Sequence, residues 1–95
     1  MTVTIALAPA LGERAGGRSA VHVDAGTVSE ALGQLTTRFP DLESLVWSAD
    51  GGLNPFLAVF LQDQDVRDLG GLNAALRPGD ELSLVTAVEG GSAGR

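Results

Sequence analysis

Two adjacent glycines, Gly90 and Gly91, follow the apolar segment Leu82 to Val88 after a single residue, Glu89. Glycine has no Cβ, so two in a row can lie extended in a slot that excludes any other side chain. Such a tail is suited to entering another protein's active site. A diglycine alone is also a common flexible terminus, and the segment before it has to decide. Pro78-Gly79-Asp80-Glu81-Leu82-Ser83-Leu84-Val85 reads as a turn feeding a strand, which places the glycines just beyond the last structured element. Ser92-Ala93-Gly94-Arg95 follow the glycines.

Other chemistry-bearing residues are sparse. His22 stands alone with no cysteine or second histidine to share a metal, and is expected on a strand surface. Asp63, Asp65 and Asp68 are spaced loosely like an oxygen-ligand loop. They lack the glycine and terminal glutamate that a calcium loop needs, so they read as a solvated acidic turn. Asp80 and Glu81 are neighbouring turn carboxylates, and nothing marks them as a catalytic pair. Trp47 reads as a core or loop anchor. Neither a bound cofactor nor a metal is expected.

The chain has 95 residues, which suits one domain, a formal charge of -6 and no cysteine. Disulfides, thiolate metal sites and cysteine nucleophiles are excluded, and a reducing compartment is the expectation. Lysine is absent, so every side-chain cation is an arginine and the chain offers no side-chain amine. Nucleic-acid affinity rests on neutralising phosphates, so an acidic chain without a basic patch argues against it. A partner with a basic docking surface fits better. No apolar run reaches the roughly 20 residues of a membrane span, and the start lacks a signal peptide's basic region. A soluble cytoplasmic protein is expected.

The elements that must position the tail can be read from periodicity. Met1 to Ala8 alternates, with Val3, Ile5 and Leu7 on one face, and Ser19 to Asp24 alternates again around Val21 and Val23. Pro9 to Gly17 between them reads as the loop of a wide hairpin. Thr27-Val28-Ser29-Glu30 has the form of a capping box. Val28, Ala31, Leu32, Leu35 and Phe39 then form one helical stripe that Pro40 ends. Asp41 to Trp47 suits a helical turn and Ser48 to Pro55 a loop. Phe56 to Leu61 is apolar on both faces, as a central strand would be. Gln62 to Asp65 reads as a turn, Val66-Arg67 as a very short strand and Gly71 to Leu76 as a helical turn. Pro78-Gly79 has the residue types of a type II turn.

The inward residues of the opening hairpin need a cover, and the helical stripe is the obvious one. The later strands must complete the same sheet. The order predicts an α+β fold of the β-grasp type: a mixed sheet packed on one main helix, Val28 to Arg38. A ferredoxin-like sandwich would need a second full helix. The core is expected to hold Val3, Ile5, Val21, Leu32, Leu35, Val59, Leu61 and Leu84. The domain is expected over residues 1–88, with 89–95 as a flexible tail.

If Leu57, Val59 and Leu61 face the helix, then Phe56, Ala58 and Phe60 face away from it. Leu82, Leu84, Thr86 and Val88 would point inward on the neighbouring last strand. Ala58, Phe60, Val85 and Ala87 then form an apolar patch that reads as a partner-docking surface, with ordinary packing as the alternative.

Two blocks carry a resemblance that extends over essentially the whole chain. They are Phe56-Leu57-Ala58-Val59-Phe60-Leu61-Gln62-Asp63-Gln64-Asp65-Val66-Arg67 and Leu76 through Gly91. The first resembles the third strand, acidic turn and "Asp-Val-Arg" of the ubiquitin-like sulfur carrier family, the ThiS/MoaD family with its CysO-like members. The second resembles that family's Gly-Asp-Glu turn, final strand and diglycine tail. The resemblance implies a protein cosubstrate rather than an enzyme. Its terminal glycine carboxylate would be adenylated by an E1-like adenylating enzyme that uses ATP, then converted to a thiocarboxylate. Gly91 would carry the sulfur and Gly90 would keep the tail slender. The implied acceptor is a synthase of cofactor, cysteine or secondary-metabolite biosynthesis.

The family's active form ends at the second glycine, whereas Ser92 to Arg95 cover it here. An amide at Gly91 cannot be adenylated, so the resemblance further implies a peptidase, JAMM-type or other, that removes the four residues. The other reading is a β-grasp interaction domain, or a ubiquitin-like modifier conjugated through Gly91 without sulfur transfer.

Overall fold

The computed structural model describes residues 2–86. It has five strands: β1 (Thr2–Leu7), β2 (Ala20–Asp24), β3 (Leu57–Leu61), β4 (Gln64–Asp65) and β5 (Glu81–Thr86). The helices are α1 (Pro9–Glu13), α2 (Val28–Arg38) and α3 (Glu43–Val46), with 3-10 turns at Pro40–Leu42, Val66–Leu69 and Gly71–Asn73. The sheet order is β2-β1-β5-β3-β4, which puts the first and last strands side by side at its centre. β1 pairs antiparallel with β2 and parallel with β5, while β3 pairs antiparallel with β5 and β4. This mixed sheet on one principal helix is the β-grasp architecture expected from the element order.

The strands alternate as their sequences require. Val3, Ile5 and Leu7 are buried on β1, Val21 and Val23 on β2, and Leu82, Leu84 and Thr86 on β5. Helix α2 closes over that face with Val28, Ala31, Leu32 and Leu35, and all of these residues except Thr86 belong to one core cluster. A fully buried leucine is worth roughly 1.5–3 kcal/mol over an exposed one, so this layer holds the sheet together. Phe39 is only half-buried, with the Arg18 guanidinium 5.8 Å from its ring centroid.

The helix begins where its capping sequence says. Thr27 Oγ1 accepts from the Glu30 amide at 3.1 Å, and Glu30 Oε1 accepts from the Gly26 amide at 2.8 Å. The carboxylate thus reaches one residue past the N-cap. At the entrance to β5, the Asp80 amide donates to the Arg77 carbonyl at 3.0 Å, and Gly79 has φ +88°. That is the predicted turn, with glycine taking the conformation a Cβ would oppose.

Four local readings are corrected. The Pro9 to Gly17 segment is not simply a loop. Pro9 opens the short helix α1, and its Leu11 is fully buried. Val66-Arg67 is not a strand but the start of a 3-10 turn. Asp65 Oδ1 accepts from the Arg67 amide at 2.9 Å, Gly70 closes the turn in the left-handed region, and Val66 is buried. The segment Gln62 to Asp65 includes strand β4, not just a turn, and Gln62 takes φ +56° at the bend. Leu61, expected in the core, is half-buried where the sheet ends.

Candidate functional site

β5 delivers the chain to its C-terminal residues. It lies between β1 and β3: its pairing with β1 runs to Leu84, and Thr86, where the described residues stop, pairs with Leu57 of β3. Thr86 itself is 8% exposed on the inner face. Ala87, Gly90 and Gly91, three of the residues singled out in the sequence, lie outside the described residues.

The other three share the face opposite α2. Ala58 sits across from Val85, and Phe60 sits across from Ser83 and Asp65. Val85 is 42% exposed, and Ala58 and Phe60 are half-buried. Phe60 is not among the partly buried hydrophobic residues that pack on the core. The strand facing read from alternation therefore holds: Leu57 and Val59 are buried, and their neighbours turn outward.

Phe56 extends this apolar band. It is 61% exposed and immediately precedes β3. Leu57 pairs with Thr86, so Phe56 stands beside the point where β5 ends. The parity that put Ala58 and Phe60 outward also marked Phe56, although it was not among the candidate site residues. Its position is set by a clip. The Phe56 amide donates to Asn54 Oδ1 at 2.9 Å, and Asn54 Nδ2 donates to the Ser44 carbonyl at 3.1 Å. Arg67 Nη2 donates to the Asn54 carbonyl at 3.2 Å. The Asp65-Val66-Arg67 segment thus caps a turn, fills the core and pins the approach to β3, one residue for each task.

The band has a polar border. Asp65 lies across from Phe60 at the β4 side. Next to it, the Gln62 amide donates to the Glu81 carbonyl at 3.2 Å and the Glu81 amide donates to Gln62 Oε1 at 3.0 Å. The Gln62 side chain thereby extends the β3–β5 ladder by one residue and holds Glu81 at the rim. Carboxylates beside an apolar band favour a partner surface with an apolar centre and basic edge.

Among the described residues, no three histidine or acidic side chains group as a metal site, and no helix is long and apolar enough to cross a membrane. Asp50 has a carboxyl held below the ordinary range by the Ser48 hydroxyl and then by the Gly52 amide at 3.0 Å, within a surface loop. His22 is exposed on β2, as its pattern implied.

The family model described as the ThiS family matches residues 10–91. The sulfur carrier protein CysO of Mycobacterium tuberculosis is 29% identical over 93 residues, covering 96% of this chain and all of the relative. The structure of the Amycolatopsis orientalis BexX/CysO complex contains a chain of the same fold. The TM-score is 0.83 and the identity 30%, over 90% of this chain and 96% of that one. Small archaeal modifier protein 1 of H. volcanii matches with a TM-score of 0.76 and 34% identity, over 87% of this chain and 93% of that one. The β-grasp sheet, the diglycine placed beyond its central strand and these likenesses agree: the chain belongs to the ThiS family of ubiquitin-like sulfur carriers.

Proposed function

We propose that the chain carries sulfur as a thiocarboxylate on Gly91, after a peptidase of the JAMM type or another class removes Ser92 to Arg95. The observation that carries this reading is that the family match runs to Gly91 and stops there, four residues before Arg95. The chemistry needs that end to be free. An E1-like enzyme would use the Gly91 carboxylate to attack the α-phosphorus of ATP, releasing pyrophosphate and leaving an acyl adenylate. A carboxylate is a poor electrophile, whereas the mixed anhydride is a good one. A sulfide-level nucleophile then attacks the carbonyl carbon, AMP departs, and the C–S bond replaces the C–O bond. The thiocarboxylate is a nucleophile on a protein handle, which a sulfur-accepting synthase consumes.

In this reading the protein supplies presentation, not catalysis. The domain ends near residue 88, and residues 89–95 form the part that partners process. The apolar face of Ala58, Phe60 and Val85, with Ala87 beside it in sequence, docks the activating enzyme and the acceptor. Phe56 adds a contact at the root of the tail. ATP belongs to the activating enzyme.

The test is intact mass spectrometry after incubation with E1-like enzyme, ATP and sulfide. A chain ending at Gly91 should exchange one oxygen for sulfur without a peptidase. The full chain should do so only when the peptidase is present. Sulfur gained by the uncut chain, or a truncated chain inert with every E1-like enzyme of its organism, would overturn the proposal.

A second reading is supported by the likeness to small archaeal modifier protein 1. Here the activated Gly91 is passed to an amine and the chain becomes a covalent modifier. Isopeptide-linked conjugates in place of a thiocarboxylate would favour it.

A further inference from the structure

β2 is an edge of the sheet, and its hydrogen-bonding parity can be worked out. The Leu7 amide donates to the Ser19 carbonyl at 2.9 Å, so Leu7 and Ser19 form a hydrogen-bonded pair. In an antiparallel ladder such pairs alternate. Ile5–Val21 and Val3–Val23 are therefore the bonded pairs of the β1–β2 register. The amides and carbonyls of Ala20, His22 and Asp24 must point away from β1, over the rim. A row of outward peptide groups is a template for another strand. The rim residues include neither lysine nor proline, which commonly blunt such edges.

Two side chains of α2 lie across this rim instead. Gln34 Nε2 donates to the Asp24 carbonyl at 2.5 Å, and Gln34 Oε1 accepts from the Asp24 amide at 3.2 Å. One amide group thus offers a donor and an acceptor to the same residue, as the facing residue of a neighbouring strand would. Arg38 Nη1 donates to the His22 carbonyl at 3.2 Å. The spacing fits. Four helical residues advance about 6 Å and two strand residues about 6.6 Å, so an i, i+4 pair can reach alternate residues of the strand.

We infer that Gln34 and Arg38 are an edge guard that keeps β2 from pairing with β2 of a second copy of this chain. A second copy is the natural occupant because the rim is self-complementary. Two β2 strands set antiparallel about His22 place His22 opposite His22 and Ala20 opposite Asp24. The outward groups of all three residues then face one another across a two-fold axis. The inference stands on the register and these hydrogen bonds, and does not depend on the sulfur-carrier reading.

The test compares the full chain with Gln34→Ala/Arg38→Ala by size-exclusion chromatography with light scattering. A series of concentrations would be run in about 0.3 M salt to screen the repulsion between acidic copies. The wild-type chain should stay at monomer mass, and the double variant should move toward twice that mass as concentration rises. Adding His22→Pro should return the double variant to monomer, since proline removes a rim donor and is tolerated where the amide faces away from the sheet. Amide exchange gives a readout that needs no dimer. In Gln34→Ala alone, the Asp24 amide should exchange up to about tenfold faster, the factor equivalent to one hydrogen bond. A double variant that remains monomeric throughout, a dimer indifferent to His22→Pro, or unchanged Asp24 exchange would overturn the inference. Should the double variant fail to fold, the single-variant exchange decides.

Discussion

Replacing Gly12 and Gly33 with alanine, one at a time, should move stability in opposite directions. Gly12 lies in α1, within the β1–β2 connection, where a Cβ would sit 2.4 Å from the Arg18 carbonyl oxygen. Ordinary van der Waals contact with a Cβ starts at 3.4 Å, so backbone must retreat by about 1 Å in a packed region. Little there is free to give. The Gly12 carbonyl accepts from Ala15 at 3.0 Å and from Gly17 at 2.9 Å, and Ser19 is already bonded to Leu7. Overpacking costs about 1–3 kcal/mol, and a loosened hydrogen bond adds roughly 1 kcal/mol. Gly33 is inside α2, and its added Cβ would meet no atom within 4 Å. Alanine there should gain about 0.5–1 kcal/mol from helix propensity alone. The two variants should therefore differ by roughly 2.5–5 kcal/mol. Urea unfolding measures this directly, with an unchanged slope as the check that only stability moved. A Gly12→Ala variant as stable as wild type would refute the close approach, and a destabilised Gly33→Ala would refute the open helix face.

Leu32 is fully buried under the sheet, so Leu32→Ala should cost roughly 2–5 kcal/mol in the same urea assay. Phe60→Thr should leave circular dichroism and unfolding midpoint nearly unchanged, because Phe60 lies off the core and threonine suits a strand without setting a charge opposite Asp65, yet weaken capture by the activating enzyme. Unfolding of that variant would assign Phe60 to packing instead. Asp50 tests a sign. Its folded carboxyl titrates below the ordinary range, so its contribution is present above that range and lost as pH falls through the lowered value. Acidification should therefore lower the stability of wild type relative to Asp50→Asn, and an NMR titration of the Asp50 carboxyl should show the lowered midpoint.

What could be read in advance depended on how local the deciding physics was. Alternation on β1, β2 and β5, the Thr27–Glu30 cap and the Pro78-Gly79 turn are settled by neighbours a few residues away, and the structure keeps each of them. Helix α1 was hidden because Gly12, Gly16 and Gly17 make its segment look like a loop. Its five residues are held by burial of Leu11 and by the contact with Arg18, both products of the tertiary fold. Val66 has the side chain of a strand former, but the Asp65 cap and the left-handed Gly70 outweigh that preference over so short a piece. The facing of Phe60 and Val85 was legible, since alternation fixes it. The reach of Gln34 and Arg38 to β2 was not, because it depends on where the helix crosses the sheet.

The parallel pairing of β1 with β5 also has a mechanical consequence. A pull applied beyond Thr86, along the strand, would load the β5 bonds to β1 on one side and to β3 on the other in shear. These bonds share the load and must yield together, whereas an edge strand pulled outward would peel away one bond at a time. The segment that follows Thr86 in sequence thus leaves from a strand paired on both sides. A partner could grip that segment, strain it and let go, and the domain would withstand the tug.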